Sequence, residues 1–277
     1  MIVNADSAQI YRDLPILSAA PRPDELRRVD HRLYGVMDGQ QACSAADWAA
    51  MARREIADVH SSGRLPILVG GTGLYLRTLL HGIAPVPAID PDVRQKVRER
   101  SVEENRQELL KRDRDAAMRL NERDAARIAR ALEVALSTGR TLADWQQKRE
   151  GGIAGEIDLR PFITLPPRDW LYPRCDKRFA AMIDDGAADE VRNLLKRQLS
   201  SRLPIMRGIG VREIAAWLNG EMSREEAIAA GQQATRRYAK RQYTWFAHQP
   251  PVEWPRFHEP LDKDSIPRAL ALLWGTP

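Results

Sequence analysis

The sequence predicts an α/β fold that carries a helical insertion. Two apolar runs, Ile2-Val3 and Leu65-Pro66-Ile67-Leu68-Val69, are too short for helices, and each breaks into small polar or glycine residues. A helical period with its own start and stop signals lies between them, giving the strand–helix–strand order of an α/β core. Beyond Pro85-Val86-Pro87, the block Asp90–Gly139 is dense in charge and helical in period.

Taken in order, Ile2-Val3 reads as the end of a buried strand that releases Asn4-Ala5-Asp6-Ser7 into a loop. Ligands of open α/β sheets sit at the loops leaving the carboxyl ends of strands, so Asp6 is a candidate general base. On these residues alone it is equally a cap for the next turn. Ser18–Asp30, Pro-rich and charged, reads as a surface loop. Ser44 then caps a helix, with Asp47 at the capping-box position. That helix runs through Trp48, Met51, Ile56 and Val59 and stops near Ser61-Ser62-Gly63. Leu65–Val69 reads as a buried parallel strand, being wholly apolar. It ends in Gly70-Gly71-Thr72-Gly73, and a helix starts at Leu74. Such a turn is either a plain glycine turn or a place where backbone and helix N-terminus approach an anion.

In the insertion, Val93, Val97, Leu109, Leu110, Ile128, Leu132, Val134 and Leu136 mark apolar helix faces, and Thr141–Glu150 adds a short helix. Gly151-Gly152 and Gly155 form the return. The expected organisation is therefore 1–84 with 157–277 as α/β core and C-terminal helices, and 85–156 as helical insertion. Leu159–Leu165 is the next strand, closed by Pro166-Pro167, and Tyr172–Leu199 is a long helix with a weak point at Gly186. Helices over Val211–Leu218 and Arg224–Phe246 precede a tail rich in Pro and Trp.

A chain of 277 residues, 43% hydrophobic and 29% charged, can bury a sizeable core. No apolar run is long enough for a bilayer and no signal-peptide pattern opens the chain, so a cytoplasmic protein with reduced thiols is expected. Cys43, Cys175 and the five scattered histidines fall in no metal-ligand spacing, so no protein metal site is expected. The net charge of +5 is modest, but its placement is informative. Ala227–Val252 contains no acid, while Arg236, Arg237, Lys240, Arg241 and His248 fall inside it. Tyr238, Tyr243 and Trp245 are interleaved, as in surfaces that hold phosphates and stack bases. In the competing reading the aromatics face the core; that is the expectation for Trp245 and Phe246. Arg127, Arg130 and Glu133 recur every third residue on one helix, which by itself is a solvated, salt-bridged face. Arg178 by itself is an ordinary surface arginine.

Asn4–Arg12, Leu14–Pro21, Leu65–Tyr75, Arg127–Glu133, Arg207–Arg212 and Thr235–Trp245 together resemble the tRNA dimethylallyltransferases, in that family's order and over nearly the whole chain. The resemblance implies a P-loop-NTPase-like parallel sheet flanked by helices, with an all-helical insertion domain. It implies transfer of a dimethylallyl group from dimethylallyl diphosphate to N6 of an adenine beside the anticodon, with Mg²⁺ and no membrane, by a monomer. In that family Asp6 would be the general base, and Thr72 and Arg178 would act on the diphosphate together with Gly70 and Gly71. The tRNA would be held by Asp6, Ser7, Ala8 and Gln9, by Ala126 (often Gln in relatives), Arg127, Ile128, Arg130 and Glu133, by Arg207, Gly208, Gly210 and Arg212, and by Arg237, Lys240, Arg241 and Gln242.

One departure accompanies the resemblance. A phosphate loop needs Gly-x4-Gly-Lys-Ser/Thr, and the sequence has no Gly-Lys dipeptide. The expectation is a fold whose first strand and P-loop are missing, with exposed strand edges, a slot in the core, poor folding and weak or no catalysis. The alternatives are a non-catalytic tRNA-binding protein and a small-molecule phosphotransferase.

Overall fold

The structure is a computed structural model that describes residues 1–274. The chain forms two compact units, one from Met1–Leu79 with the chain from Ile157 onward, the other Leu80–Glu156.

The first unit opens with β1 (Ile2–Asn4), followed by α1 (Pro23–Arg28) and β2 (His31–Arg32). Then come α2 (Ala45–Ser61), β3 (Ile67–Val69) and α3 (Gly73–His81). β1 is central, pairing in parallel with β2 (Ile2 opposite His31) and with β3 (Ile2 opposite Ile67, Asn4 opposite Val69). The long helix expected after the insertion is broken as its glycine suggested. It consists of α9 (Arg168–Met182), a π turn at Ile183–Ala187 and α10 (Ala188–Lys196), with Gly186 at φ 110°. α11 (Val211–Leu218), α12 (Arg224–His248) and α13 (Ile266–Trp274) complete the unit. A second parallel pair, β4 (Ile163–Thr164) with β5 (Arg256–Phe257), stands apart from the first sheet.

The second unit holds α4 (Pro91–Glu99), α5 (Val102–Arg112), α6 (Arg114–Arg119), α7 (Ala125–Thr138) and α8 (Leu142–Gln146). Each starts on a side-chain oxygen, from Asp90, Ser101, Asp113, Asp124 and Thr141 in turn. Such caps satisfy otherwise orphaned N–H groups and contribute about 1 kcal/mol each. Val97, Leu109, Ile128 and Leu132 form the shared core.

Four expectations are corrected. Ser18–Asp30 contains α1, started by Pro23 and with Asp24, Glu25, Arg27 and Arg28 placed to complement its dipole. The strand expected over Leu159–Leu165 is only Ile163–Thr164. β2 and β5, two residues each, carry no sequence period and were not expected. β3 is not buried: Ile67 is 45% and Val69 48% exposed, because β3 pairs only with β1 and its outer side meets no strand.

The end of β1 is fixed by Asn4, which is fully buried. Its side-chain NH₂ donates to the carbonyls of Asp6 (3.0 Å) and Leu33 (2.9 Å), and its side-chain oxygen accepts from Asp6 N–H at 2.7 Å. Its own carbonyl accepts from Trp48 Nε1 at 2.9 Å, and the Trp48 ring stacks on Tyr75 at 4.7 Å. α2 and α3 are thereby fastened beneath the strand end. Replacing Asn4 by Ala removes three side-chain hydrogen bonds and strands buried backbone groups. We expect a loss of roughly 2–4 kcal/mol in urea unfolding with an unchanged slope; a loss under 0.5 kcal/mol would show that the clamp is dispensable.

Candidate active site

A pocket of ≈ 690 Å³ opens at the carboxyl ends of β1, β3 and β4. Asp6, Ser7, Gly70 and Gly71 form part of its wall; Arg178, Arg207 and Arg241 bring positive charge to it. Leu171, Phe179, Met182, Ile205 and Phe246 supply an apolar lining. The site therefore combines one carboxylate, three guanidinium groups and a hydrocarbon surface.

Asp6 is held by its own loop, its Oδ1 accepting from Ala8 N–H at 2.8 Å. Burial raises its pKa above the ordinary carboxylate value, and this outweighs the backbone bonds and the nearby Arg178 charge, which lower it. A carboxylate made more basic in this way is suited to accepting a proton.

Thr72 stands directly behind Asp6's neighbour. Its Oγ1 accepts from Ser7 N–H at 2.9 Å and donates to Ser7 Oγ at 3.2 Å. Tyr238 O–H lies within hydrogen-bonding reach of Thr72 and Gln242, and burial raises its pKa. The Gln242 amide in turn donates to Gly71 carbonyl at 3.1 Å. Thr72 thus spends its hydroxyl on Ser7, and Gln242 builds the wall of the pocket.

The glycine turn has a packing reason as well as a chemical one. A Cβ on Gly73 would sit 2.4 Å from the Trp245 ring, and one on Gly70 would sit 2.2 Å from the Ala5 carbonyl carbon. Trp245 and Phe246, expected in the core, are half-buried; their rings meet edge to face at 4.8 Å, with Trp245 lying over the turn. The structure leaves both readings of the turn in force, since Gly70 and Gly71 also face the pocket.

Other expected residues divide by burial. Arg178, Arg207, Arg212, Arg237, Lys240 and Arg241 are exposed, and Arg241 lies over the Tyr238 ring at 5.5 Å. Gln9 donates to the carbonyls of Ser18 and Ala19, so its amide ties two loop segments together. Ala8 is exposed and Gly208 is partly buried, its carbonyl accepting from Val211 N–H. Gly210 is buried against Leu17 and Phe179, so its place is in the packing of α11.

Ala126, Arg127, Ile128, Arg130 and Glu133 lie on α7 of the helical unit. Ala126 and Arg127 are exposed and Arg130 is half-buried. The other two side chains are turned inward. Ile128 is part of the hydrophobic core, and Glu133, 1% exposed, pairs with Arg98 at 2.5 Å. Sequence reasoning also passed over Asn4, although an Asn two residues before an acid at a strand end is the signature of a side-chain turn.

The family pattern described as IPP transferase matches residues 9–249. The chain belongs to the IPP transferase family. It is 60% identical to a tRNA dimethylallyltransferase of Erythrobacter litoralis, over 92% of this chain and 81% of the relative. It is 59% identical to one from Novosphingobium aromaticivorans, over 98% of each chain. The structure is similar to that of a tRNA isopentenylpyrophosphate transferase from Bacillus halodurans, with TM-score 0.67, 30% identity, and 97% and 85% of the two chains covered. A eukaryotic dimethylallyltransferase shares the fold at TM-score 0.73 and 24% identity, over 88% of this chain and 62% of that one. The IPP transferase family assignment agrees with the α/β architecture expected from sequence.

The residues present fit Mg²⁺ only in the way that ion is usually held, through substrate phosphates with one or two protein carboxylates. Among the described residues no group of three His, Cys, Asp or Glu converges, and Asp6 is the carboxylate on the wall.

Gly73→Ala tests the packing role of the turn. It should cost about 1–3 kcal/mol in thermal or chemical unfolding. In a Trp245→Ala background the same substitution should cost far less, and a double-mutant cycle with no coupling would contradict the contact.

Proposed function

We propose that this chain transfers a dimethylallyl group from dimethylallyl diphosphate to N6 of an adenine beside the anticodon of tRNA. The observation that carries this reading is the pocket itself, which brings Asp6, Arg178 and an apolar lining together. Family membership supports it, because the relatives named above are tRNA dimethylallyltransferases.

The prenyl tail lies on the hydrocarbon lining, and the diphosphate faces Arg178 and the Gly70-Gly71 turn. Arginine suits this role because its planar fork donates two parallel bonds to phosphate oxygens. The adenine leaves its stack to enter the pocket, where its N6 meets the allylic carbon. The N–C bond forms as the C–O bond breaks, and that electron pair leaves with the diphosphate. Asp6 takes the proton released from N6. Ser7 Oγ accepts a hydrogen bond from the Thr72 hydroxyl and so keeps its own O–H to donate into the pocket. Thr72 and Tyr238 hold this loop in place. Arg178, together with backbone N–H groups, offsets the charge on the departing oxygen.

The arginines and lysine of α12 supply the RNA surface. Arg237, Lys240 and Arg241 are exposed along one stretch of the helix, while Arg236 is tied to Asp176 at 2.6 Å.

Asp6→Asn keeps the shape and the Ala8 bond but cannot accept the proton. We expect a fall in kcat of about 10²–10⁴-fold, with tRNA binding retained. The folded-state pKa of Asp6 lies above its unfolded value, so the native state is favoured below the unfolded pKa and that advantage disappears as pH rises through the folded pKa. At neutral pH, Asp6→Asn should therefore leave the melting temperature equal or higher. Normal prenyl transfer by this variant would remove Asp6 from the mechanism. The acid limb of kcat/KM should also lie above the usual carboxylate range, which a pH–rate profile would show.

Replacing Arg237, Lys240 and Arg241 together by Gln should weaken tRNA binding and lower the slope of log K against log salt by about 2. An unchanged slope would place the RNA elsewhere.

A further inference from the structure

The loop 14–19, between β1 and α1, is fastened from both sides. Both carboxylate oxygens of Glu190, in the first turn of α10, accept backbone N–H bonds, from Ile16 at 2.7 Å and from Leu17 at 3.0 Å. Bonds to an ionised acceptor are stronger than neutral ones. Gln9 holds the other backbone groups, donating to the carbonyls of Ser18 (3.1 Å) and Ala19 (2.7 Å). The loop also closes on itself, Ser18 N–H donating to Leu14 carbonyl at 3.0 Å and Ala19 N–H to Ile16 carbonyl at 2.9 Å. A loop whose backbone groups are satisfied in this way stands as a wall and not as a lid.

What this wall presents to the pocket is hydrocarbon. Leu17 is half-buried and lines the pocket together with Phe179 and Met182. Leu17 and Phe179 meet over Gly210, where a Cβ would sit 2.8 Å from Leu17 Cδ1 and 2.9 Å from Phe179 Cε2. The Phe179 ring is also pressed against Gly231 of α12, where a Cβ would overlap it, so the ring has no room to withdraw. On α9, Phe179 directly follows Arg178, and Met182 lies one turn beyond both. One cation therefore borders an apolar surface that Leu17 continues.

These positions decide where the donor's carbon tail goes. The nucleophile meets the reacting carbon beside Asp6, and the leaving diphosphate is drawn to Arg178. The tail is the substituent left to face the apolar wall. We propose that Leu17 determines the length of prenyl chain the site accepts: with Phe179 it closes the hydrocarbon end of the pocket against chains longer than one isoprene unit, and Glu190 is the positioning residue that holds Leu17 there. The inference rests on the proposed dimethylallyl donor. A pocket rejects a longer chain only when its wall cannot yield, and the clamps on both sides of Leu17 supply that rigidity.

The test uses the full chain, an unmodified tRNA transcript, and dimethylallyl and geranyl diphosphates as rival donors. The parent protein should use geranyl diphosphate at least about 10²-fold less well in kcat/KM, and Leu17→Ala should narrow that ratio about tenfold. The inhibition constant of inorganic diphosphate, which has no tail, should not move. Leu17 is half-buried, so the variant is expected to fold, and a thermal melt would show it. Glu190→Ala should narrow the ratio as well, and combining it with Leu17→Ala should add little, since both act through one side chain. Glu190→Gln, which keeps one acceptor oxygen, should fall between Glu190→Ala and the parent. A Glu190 that only stabilised the fold would lower kcat/KM for both donors alike, and an unchanged ratio in its variants would remove it from the proposal. An unchanged ratio in Leu17→Ala, or equal use of the two donors by the parent, would overturn the chain-length role and leave the proposed function standing. Failure of the parent to transfer from either donor would overturn the proposed function, and this inference with it.

Discussion

Asn4 cannot leave water without partners, and the partners it finds are the backbone groups that must hold still for chemistry to occur. Its side chain takes both the N–H and the carbonyl of Asp6, and it reaches across to Leu33, where the chain has just left β2. A three-residue strand has little intrinsic rigidity, and β1 is no longer than that. The buried amide converts the strand's last residue into a fixed mount. From it follow the direction of the Asp6 carboxylate, the contact of Ser7 with Thr72, and the seating of Trp48 against the strand end.

Much of the helical architecture could be read directly from residue types. Ser44 with Asp47, Ser223 with Glu226 and Thr141 with Asp144 all form the reciprocal caps their spacing implies, because the same short side chains that disfavour helix interiors satisfy helix ends. Gly186 marked the break between α9 and α10, since a positive φ is open to it at little cost. The strands were less legible. β2, β4 and β5 are two residues long, too short to show any alternation, and they exist because a parallel neighbour is present. The apolar run ending at Val69 gave the wrong burial for a related reason. Hydrophobicity records what a segment can bury, whereas exposure depends on which segments lie on both sides of it.

The site shows the same division. Asp6 and the glycine turn were legible as features of strand ends, and the resemblance to a known family supplied the chemistry proposed for them. The series Arg127, Arg130, Glu133 misled in a regular way. A step of three residues falls short of a full helical turn by about 60°. The series therefore walks around α7, from Arg127 in solvent through half-buried Arg130 to Glu133 in the interior. Gln242 illustrates a different limit. It sits among cations that suit RNA, yet its amide reaches 171 residues back along the chain to Gly71, a contact that no local pattern encodes.

α12 runs unbroken through 25 residues, about 37 Å at the usual rise. The same rod presents Arg237, Lys240 and Arg241 outward and sets Tyr238, Gln242 and Trp245 against the reactive loop. With no internal proline or glycine after Gly231, that segment has no joint at which the two sets could move apart. A force applied by a polynucleotide on the outer face is therefore delivered to the glycine turn as displacement of a stiff lever. The same stiffness constrains divergence: a substitution that rolls the helix to suit a different nucleic-acid shape also moves the pocket wall, so recognition and reactivity must drift together.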